Sequence, residues 1–125
     1  MKSPSRLRLP ATYEVTHWLI YEARSTGFAP SYQVVGKTNV DDSVRVSDNV
    51  DSWDFAKRIA KTDCGDTYVL RQRALEIDDA TGLVLDLWRA MNGICVMRDV
   101  TDEIEKLFAQ AQASDSTSGS SKRKD

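Results

Sequence analysis

The sequence predicts an α+β domain in which an antiparallel sheet carries about three helices packed on it. The sheet is predicted mainly from the C-terminal half, where two turn signals separate three strand-like runs and so predict a three-stranded meander. Helices are predicted where apolar residues recur at helical spacing next to a capping or terminating residue. The 125 residues are 41% hydrophobic and 29% charged, which is ordinary for a single globular domain.

Residues 11–26 are predicted as the first helix, and a strand is the open alternative. The segment follows Pro10 and ends before Gly27, and its polar residues fall on one face at helical spacing. The same residues also alternate between apolar and polar, and many are aromatic or β-branched, which is typical of a strand. Two short β-type runs then follow, at 32–38 and 44–47.

A second helix is predicted to begin at Asp51 or Ser52 and to end at Cys64, before Gly65. Its apolar positions would form one broad face, made of Trp53, Phe55, Ala56, Ile59 and Ala60.

The predicted meander consists of strands at 68–77, 83–91 and 94–98. A turn-rich stretch at 78–82 has the length of a hairpin connection, and Asn92-Gly93 suits a type I′ turn. Because a hairpin's register decides which side chains share a face, the two turns place Leu83, Leu85 and Leu87 together on the side that would cover the helices.

The last helix is predicted to start at Thr101 or Asp102, with Glu105 completing a capping box. Its apolar stripe would be Ile104, Leu107, Phe108 and Ala111. Residues 114–125 hold five serines and no large apolar residue and are predicted to be a disordered tail. Residues 1–10 are predicted to be a flexible basic arm, so the single α+β domain would span 11–113.

The net charge of −2 is unevenly distributed. The two ends together carry +4, from three bases at 1–10 and from three bases against two acids at 114–125, so the body carries −6. An acidic body argues against nucleic-acid binding by the whole domain, because neutralising phosphates needs a basic surface. Phosphate binding by the two basic ends, acting as flexible arms, stays open as an alternative.

The common catalytic constellations cannot be assembled from this composition. His17 is the only histidine, Cys64 and Cys95 lie 31 residues apart with no zinc-type spacing, and Gly36-Lys37-Thr38 lacks the upstream glycine that a phosphate-binding loop needs. We therefore expect no enzyme, no cofactor and no metal. Two cysteines and no signal peptide or membrane span favour a cytoplasmic setting.

The candidate partner-binding face is the side of the meander opposite the leucines. The predicted register sets Arg71 across from Trp88, and Trp88 across from Met97. An aromatic, an arginine and a methionine exposed together have the composition of interface hot spots. The alternative is that the first helix or the 32–47 strands cover this face and make it a second core.

These observations predict a non-enzymatic binding or regulatory module that acts through protein–protein contacts, with Arg71, Trp88 and Met97 as the contact residues. The alternative is a nucleic-acid-associated accessory protein that uses its basic ends and the arginines of the meander. No membrane contact is expected, and the oligomeric state stays open.

Overall fold

The computed structural model describes residues 9–40 and 43–124, with side chains described through residue 114. Within these ranges the chain forms one mixed seven-stranded sheet and two helices. The strands are β1 (Thr12–Arg24), β2 (Ser31–Thr38), β3 (Val44–Val46), β4 (Val50–Asp54), β5 (Ile59–Thr62), β6 (Thr67–Leu70) and β7 (Val96–Asp99), and the helices are α1 (Asp79–Met91) and α2 (Thr101–Lys124). The strand order is β3-β2-β1-β6-β5-β4, and β7 pairs with β1.

Strand β1 has partners along both of its edges. Strand β2 runs antiparallel along one edge, while β6 pairs in parallel with the first half of the other edge and β7 pairs antiparallel with the second half. A bulge interrupts the β1–β2 register between Thr16 and Leu19, where His17 has φ of 52°. A Cβ on Gly36 would lie 2.5 Å from Val15 Cγ1 and 3.0 Å from the carbonyl oxygen of Thr16. Glycine therefore stands at 36 because the bulged backbone approaches too closely for a side chain.

One face of the sheet forms the main core together with α2. The Phe108 ring meets the buried Trp18 ring edge-on, with centroids 5.7 Å apart. Arg58, in the β4–β5 turn, lies over the Phe108 ring at 4.9 Å and donates to the two carboxylate oxygens of Glu105 at 2.9 and 3.3 Å. Through its contacts with the Phe108 ring and the Glu105 carboxylate, the Arg58 guanidinium joins α2 to the turn between β4 and β5. The buried members of this core are Val15, Trp18, Ile20, Val34, Val50, Ala60, Tyr68, Leu70, Val100, Ile104 and Phe108.

The opposite face of the sheet carries α1. Leu19 and Val35 are paired across β1 and β2, are buried, and lie outside the core formed with α2. Side chains alternate between the two faces of a strand, so these residues face the other side. Helix α1 contacts β2 and β3 and buries Thr81 and Leu85.

The predicted fold class is wrong. The sheet is mixed, because β1 and β6 are parallel, and the described residues form two helices rather than about three. Residues 11–26 form strand β1, which was the open alternative. The predicted helix at 51–64 is a hairpin of β4 and β5, and its turn is stabilised by the Asp54 carboxylate, which accepts from the Lys57 amide at 3.1 Å.

The predicted meander is also wrong. Only the first part of its first strand is extended, as β6; the predicted middle strand is α1; and β7 pairs with β1 instead of with 83–91. The β-type runs at 32–38 and 44–47 are confirmed as β2 and β3, and so is a final helix that starts at Thr101. The capping box is not formed, because Glu105 binds Arg58.

The predicted basic arm at 1–10 falls mostly on residues 1–8, outside the described residues. The predicted disordered tail at 114–125 coincides with the end of α2, where the side chains beyond residue 114 lie outside the described part of the structure. The flexible arm at 1–10 and the disordered tail at 114–125 both stay predictions.

Candidate functional site

Helix α1 has an apolar stripe that faces away from the sheet. Leu83, Leu87 and Met91 are 63%, 57% and 83% exposed, and they lie four residues apart. Residues at this spacing lie above one another on one side of a helix. The side of α1 that packs on the sheet carries Thr81 and Leu85 instead. We call Leu83, Leu87 and Met91 the α1 stripe.

Local hydrogen bonds fix where α1 begins and ends. The Asp78 carboxylate accepts from the Thr81 amide at 2.8 Å, as an N-cap residue does, and this hydrogen bond lowers the pKa of Asp78 below its ordinary value. At the other end, the Asn92 backbone and side-chain amides both donate to the Trp88 carbonyl. Arg89 turns back to donate to the carbonyl of Cys95 at 3.0 Å. Side-chain and backbone hydrogen bonds therefore define both ends of the helix.

The border of the α1 stripe is acidic. Between residues 75 and 92 the acids are Glu76, Asp78, Asp79 and Asp86, and the only base is Arg89, so this segment carries −3. All five side chains belong to exposed residues. An apolar stripe with a border of one charge sign favours a partner of the opposite sign.

A concave feature, distinct from the α1 stripe, lies between the first turns of α2 and the rim of the sheet. It is a cleft of ≈ 340 Å³. Its apolar wall combines two aromatic rings with three aliphatic side chains, and its polar groups come from β2, β7 and α2. The lining residues are Tyr32, Trp53, Phe55, Arg98, Val100, Glu103, Ile104 and Leu107.

A buried carboxylate lies behind this cleft. Glu22, whose side chain is 6% exposed, accepts from the Tyr32 hydroxyl at 2.9 Å. Its other oxygen accepts from the Nε atoms of Arg24 and Arg98 at 3.3 and 3.4 Å. The hydrogen bond from Tyr32, followed by those from the two arginines, lowers the pKa of Glu22, whereas burial opposes this shift. The same hydrogen bond raises the pKa of Tyr32.

Arg98 bridges two carboxylates at the mouth of the cleft. Besides Glu22, it contacts Glu103, whose Oε1 lies 3.3 Å from the Arg98 Nη1. The hydrogen bond to Glu22 and the charge of Glu103 raise the pKa of Arg98. Glu22 and Glu103 together balance Arg24 and Arg98, so these four groups carry no net charge.

The predicted contact residues lie on three separate parts of the fold. Arg71 follows β6 and its Nε lies 3.2 Å from the Glu14 carboxylate. Trp88 belongs to α1 and is half-buried, and Met97 pairs with Ala23 across β1 and β7. The cross-strand register that joined them is wrong, because 83–91 is not a strand. A contact role for Arg71, Trp88 and Met97 stays a prediction without that support.

The α1 stripe was missed although its signal is present in the sequence. Leu83, Leu87 and Met91 have the i, i+4, i+8 spacing of a helix face. The leucines at 83, 85 and 87 also alternate, and this second pattern favoured the strand interpretation.

Few of the other reactive side chains are placed for chemistry. In residues 9–40 and 43–114, no three His, Cys, Asp or Glu side chains come together in a way that would hold a metal ion. The thiol of Cys64 hydrogen-bonds the Asp48 carboxylate, which with partial burial raises its pKa to about 11. A thiol is nucleophilic only as the thiolate, and a raised pKa disfavours the thiolate of Cys64 near neutral pH. No helix in the described part of the chain has both the length and the apolar character to cross a bilayer.

The chain matches no protein-family model, no curated protein sequence and no solved structure. The functional assignment therefore depends on the geometry of its own residues.

Proposed function

We propose that this protein is a non-enzymatic binding module that uses the α1 stripe to hold a helical segment of a partner protein. The observation that carries the proposal is the exposure of Leu83, Leu87 and Met91 on one side of a helix whose other side is already packed. Apolar residues exposed singly are normal, but a contiguous stripe is typical of a contact surface.

A helix is the partner that fits this stripe. A row of large side chains four residues apart forms a ridge, and a second helix packs such a ridge into its own groove. Anchors at i, i+3 or i+4 and i+7 on the partner would meet the stripe along its length.

The acidic border specifies the charge of that partner. Asp79 and Asp86 are exposed acids on α1, and the guanidinium of Arg89 is directed onto the carbonyls of residues 94 and 95. Lysines or arginines beside the partner's apolar anchors would pair with these acids, whereas a second copy of this chain would bring like charges together. The partner we propose is therefore a basic amphipathic helix of another protein.

Among the described residues, which leave out most of the two basic ends, no observation favours the nucleic-acid alternative. Arg71 and Arg73, the arginines of the predicted meander, form ion pairs with Glu14 and Asp102. These acids reduce the positive charge that phosphate binding requires.

The test is affinity capture with three versions of the full chain from the cells that make it, followed by quantitative mass spectrometry. The versions are wild type, Leu87→Asp, and the control Leu9→Asp, because Leu9 is also an exposed leucine, at 84%, and precedes β1, away from α1. We expect at least one protein that wild type and the control retain equally and that Leu87→Asp loses by about tenfold or more. Thermal melts should show that both variants remain folded, since both sites are exposed.

The captured protein must then show the proposed chemistry. A synthetic peptide covering its binding segment should be a basic amphipathic helix, and its affinity should fall with added salt and in Asp86→Lys. A partner retained equally by Leu87→Asp, or one that binds through an acidic segment, would refute the proposal.

A further inference from the structure

The cleft between α2 and the rim of the sheet is separate from the α1 stripe. Its walls come from β2, β7, the β4–β5 hairpin and the first two turns of α2. Helix α1 contributes none of the residues that line it. Its volume of ≈ 340 Å³ lies at the small end of the range for ligand sites, which begins at about 300 Å³. We propose that this cleft binds a small uncharged aromatic molecule of one ring system.

The apolar wall selects an aromatic group. The rings of Trp53 and Phe55 are stacked, with centroids 5.7 Å apart and planes 6° from parallel. Both rings pack against the core, which limits their motion. Ile104 and Leu107 line the α2 side of the cleft. A flat ring that enters here can stack or meet these rings edge-on, and such pairs are favourable beyond the area they bury.

The charge balance selects a ligand without charge. Arg98 already contacts Glu22 and Glu103, and Glu22 also contacts Arg24. An anionic ligand would have to displace Glu103 from Arg98 and would lie near the buried Glu22 carboxylate. A cationic ligand would face Arg98, and the two carboxylates beside Arg98 are already engaged by it. Either charged ligand would lose hydration without gaining a free counter-charge, which is unfavourable.

The test uses indole and two charged molecules with the same ring, indole-3-acetate and tryptamine, titrated into the full chain by isothermal calorimetry. A one-ring-system ligand in a small cleft should bind with a Kd on the order of 0.1–1 mM. We expect the two charged molecules to bind about tenfold more weakly than indole. Equal affinity for either charged molecule, or no saturable binding of indole, would overturn the proposal.

Three variants locate the site and test its charge balance. Leu107→Trp places a larger side chain at the mouth, where Leu107 is 41% exposed, and should weaken indole binding about tenfold or more. Leu87→Trp is the control, because it makes the same change on α1, and it should bind indole like wild type. Glu103→Gln removes one balancing acid, so we expect indole-3-acetate to gain several-fold in affinity while tryptamine does not. Unchanged indole binding in Leu107→Trp, or loss of binding in Leu87→Trp, would place the ligand outside the cleft.

This test is independent of the partner proposed for α1. Leu87→Asp should leave indole binding unchanged while it removes the partner, and Leu107→Trp should do the reverse. The two proposals can therefore fail separately.

Discussion

A leucine scan of α1 tests the orientation of this helix directly. Leu85 is 7% exposed and packs towards the sheet, whereas Leu83 and Leu87 face away from it. Truncating a buried leucine to alanine costs the transfer of its side chain plus the cavity left behind, about 2–4 kcal/mol in a packed core. Truncating an exposed leucine on a helix costs about 0.5 kcal/mol or less, because alanine is at least as good a helix former.

The three single alanine variants should be compared by urea unfolding and by thermal melts. We expect Leu85→Ala to lower the free energy of unfolding by about 2–4 kcal/mol and the melting temperature by roughly 10 °C, since 1 kcal/mol corresponds to about 3–6 °C at this chain length. Leu83→Ala and Leu87→Ala should melt within about 3 °C of wild type. In a meander the three leucines would share one buried face. Similar losses in all three variants would therefore show that the helix and its outward stripe are wrong.

Four further substitutions have expected outcomes that equilibrium unfolding can check. Gly36→Ala should lower the free energy of unfolding by about 1–3 kcal/mol, because a Cβ would meet the bulged backbone of β1. Gly82→Ala should raise it by up to about 1 kcal/mol, because Gly82 lies inside α1 and the nearest atom to an added Cβ is 3.9 Å away. Changes of the opposite sign would contradict this packing. Arg58→Ala should cost about 1–3 kcal/mol, because it removes the bidentate ion pair and uncovers the Phe108 ring, and a neutral result would refute this role. The folded-state pKa of Glu22 is lowered, so its carboxylate stabilises the fold above the unfolded-state pKa, and this contribution is lost as the pH falls through the folded-state pKa. Glu22→Gln should therefore lower the melting temperature at pH 7 and have a smaller effect at pH 3, and an equal effect at both would count against the network.

Part of the fold was accessible from the sequence because some segments have one dominant signal. The β-branched runs at β2 and β3 have no competing helical spacing. The final helix has Ile104 and Phe108 four residues apart, and both are buried as expected. Leu107 lies at the edge of that stripe and is only partly covered.

The errors arose where two periodicities coincide over a short length. In α1, Gly82 between an aspartate pair and alternating leucines resembles a hairpin turn, yet Asp78 acts as the helix N-cap. In the β4–β5 hairpin, Trp53 and Phe55 fit a helix face, yet the Asp54 carboxylate closes a turn and Arg58 has φ of 59°. Such segments are decided by tertiary packing, which one sequence does not contain.

The long-range pairings were beyond the reach of local patterns. The parallel contact of β1 with β6 joins residues more than fifty positions apart, and the β1 bulge is visible only in the paired register of β1 and β2. The two candidate sites show the same difference between local and long-range information. The α1 stripe is encoded locally, whereas the α2 cleft combines residues from three separate parts of the chain.

Site-specific photocrosslinking tests the central claim most directly, because it reports what touches the α1 stripe inside the cell. A benzophenone amino acid replaces Leu87 in one version of the chain and Leu9 in a control version, both at exposed positions. We predict that light will produce a covalent adduct with another protein from position 87 and not from position 9, and that Asp86→Lys will lower the yield of this adduct. An adduct of equal yield from both positions, or none from position 87, would contradict the proposal that α1 is the partner-binding surface.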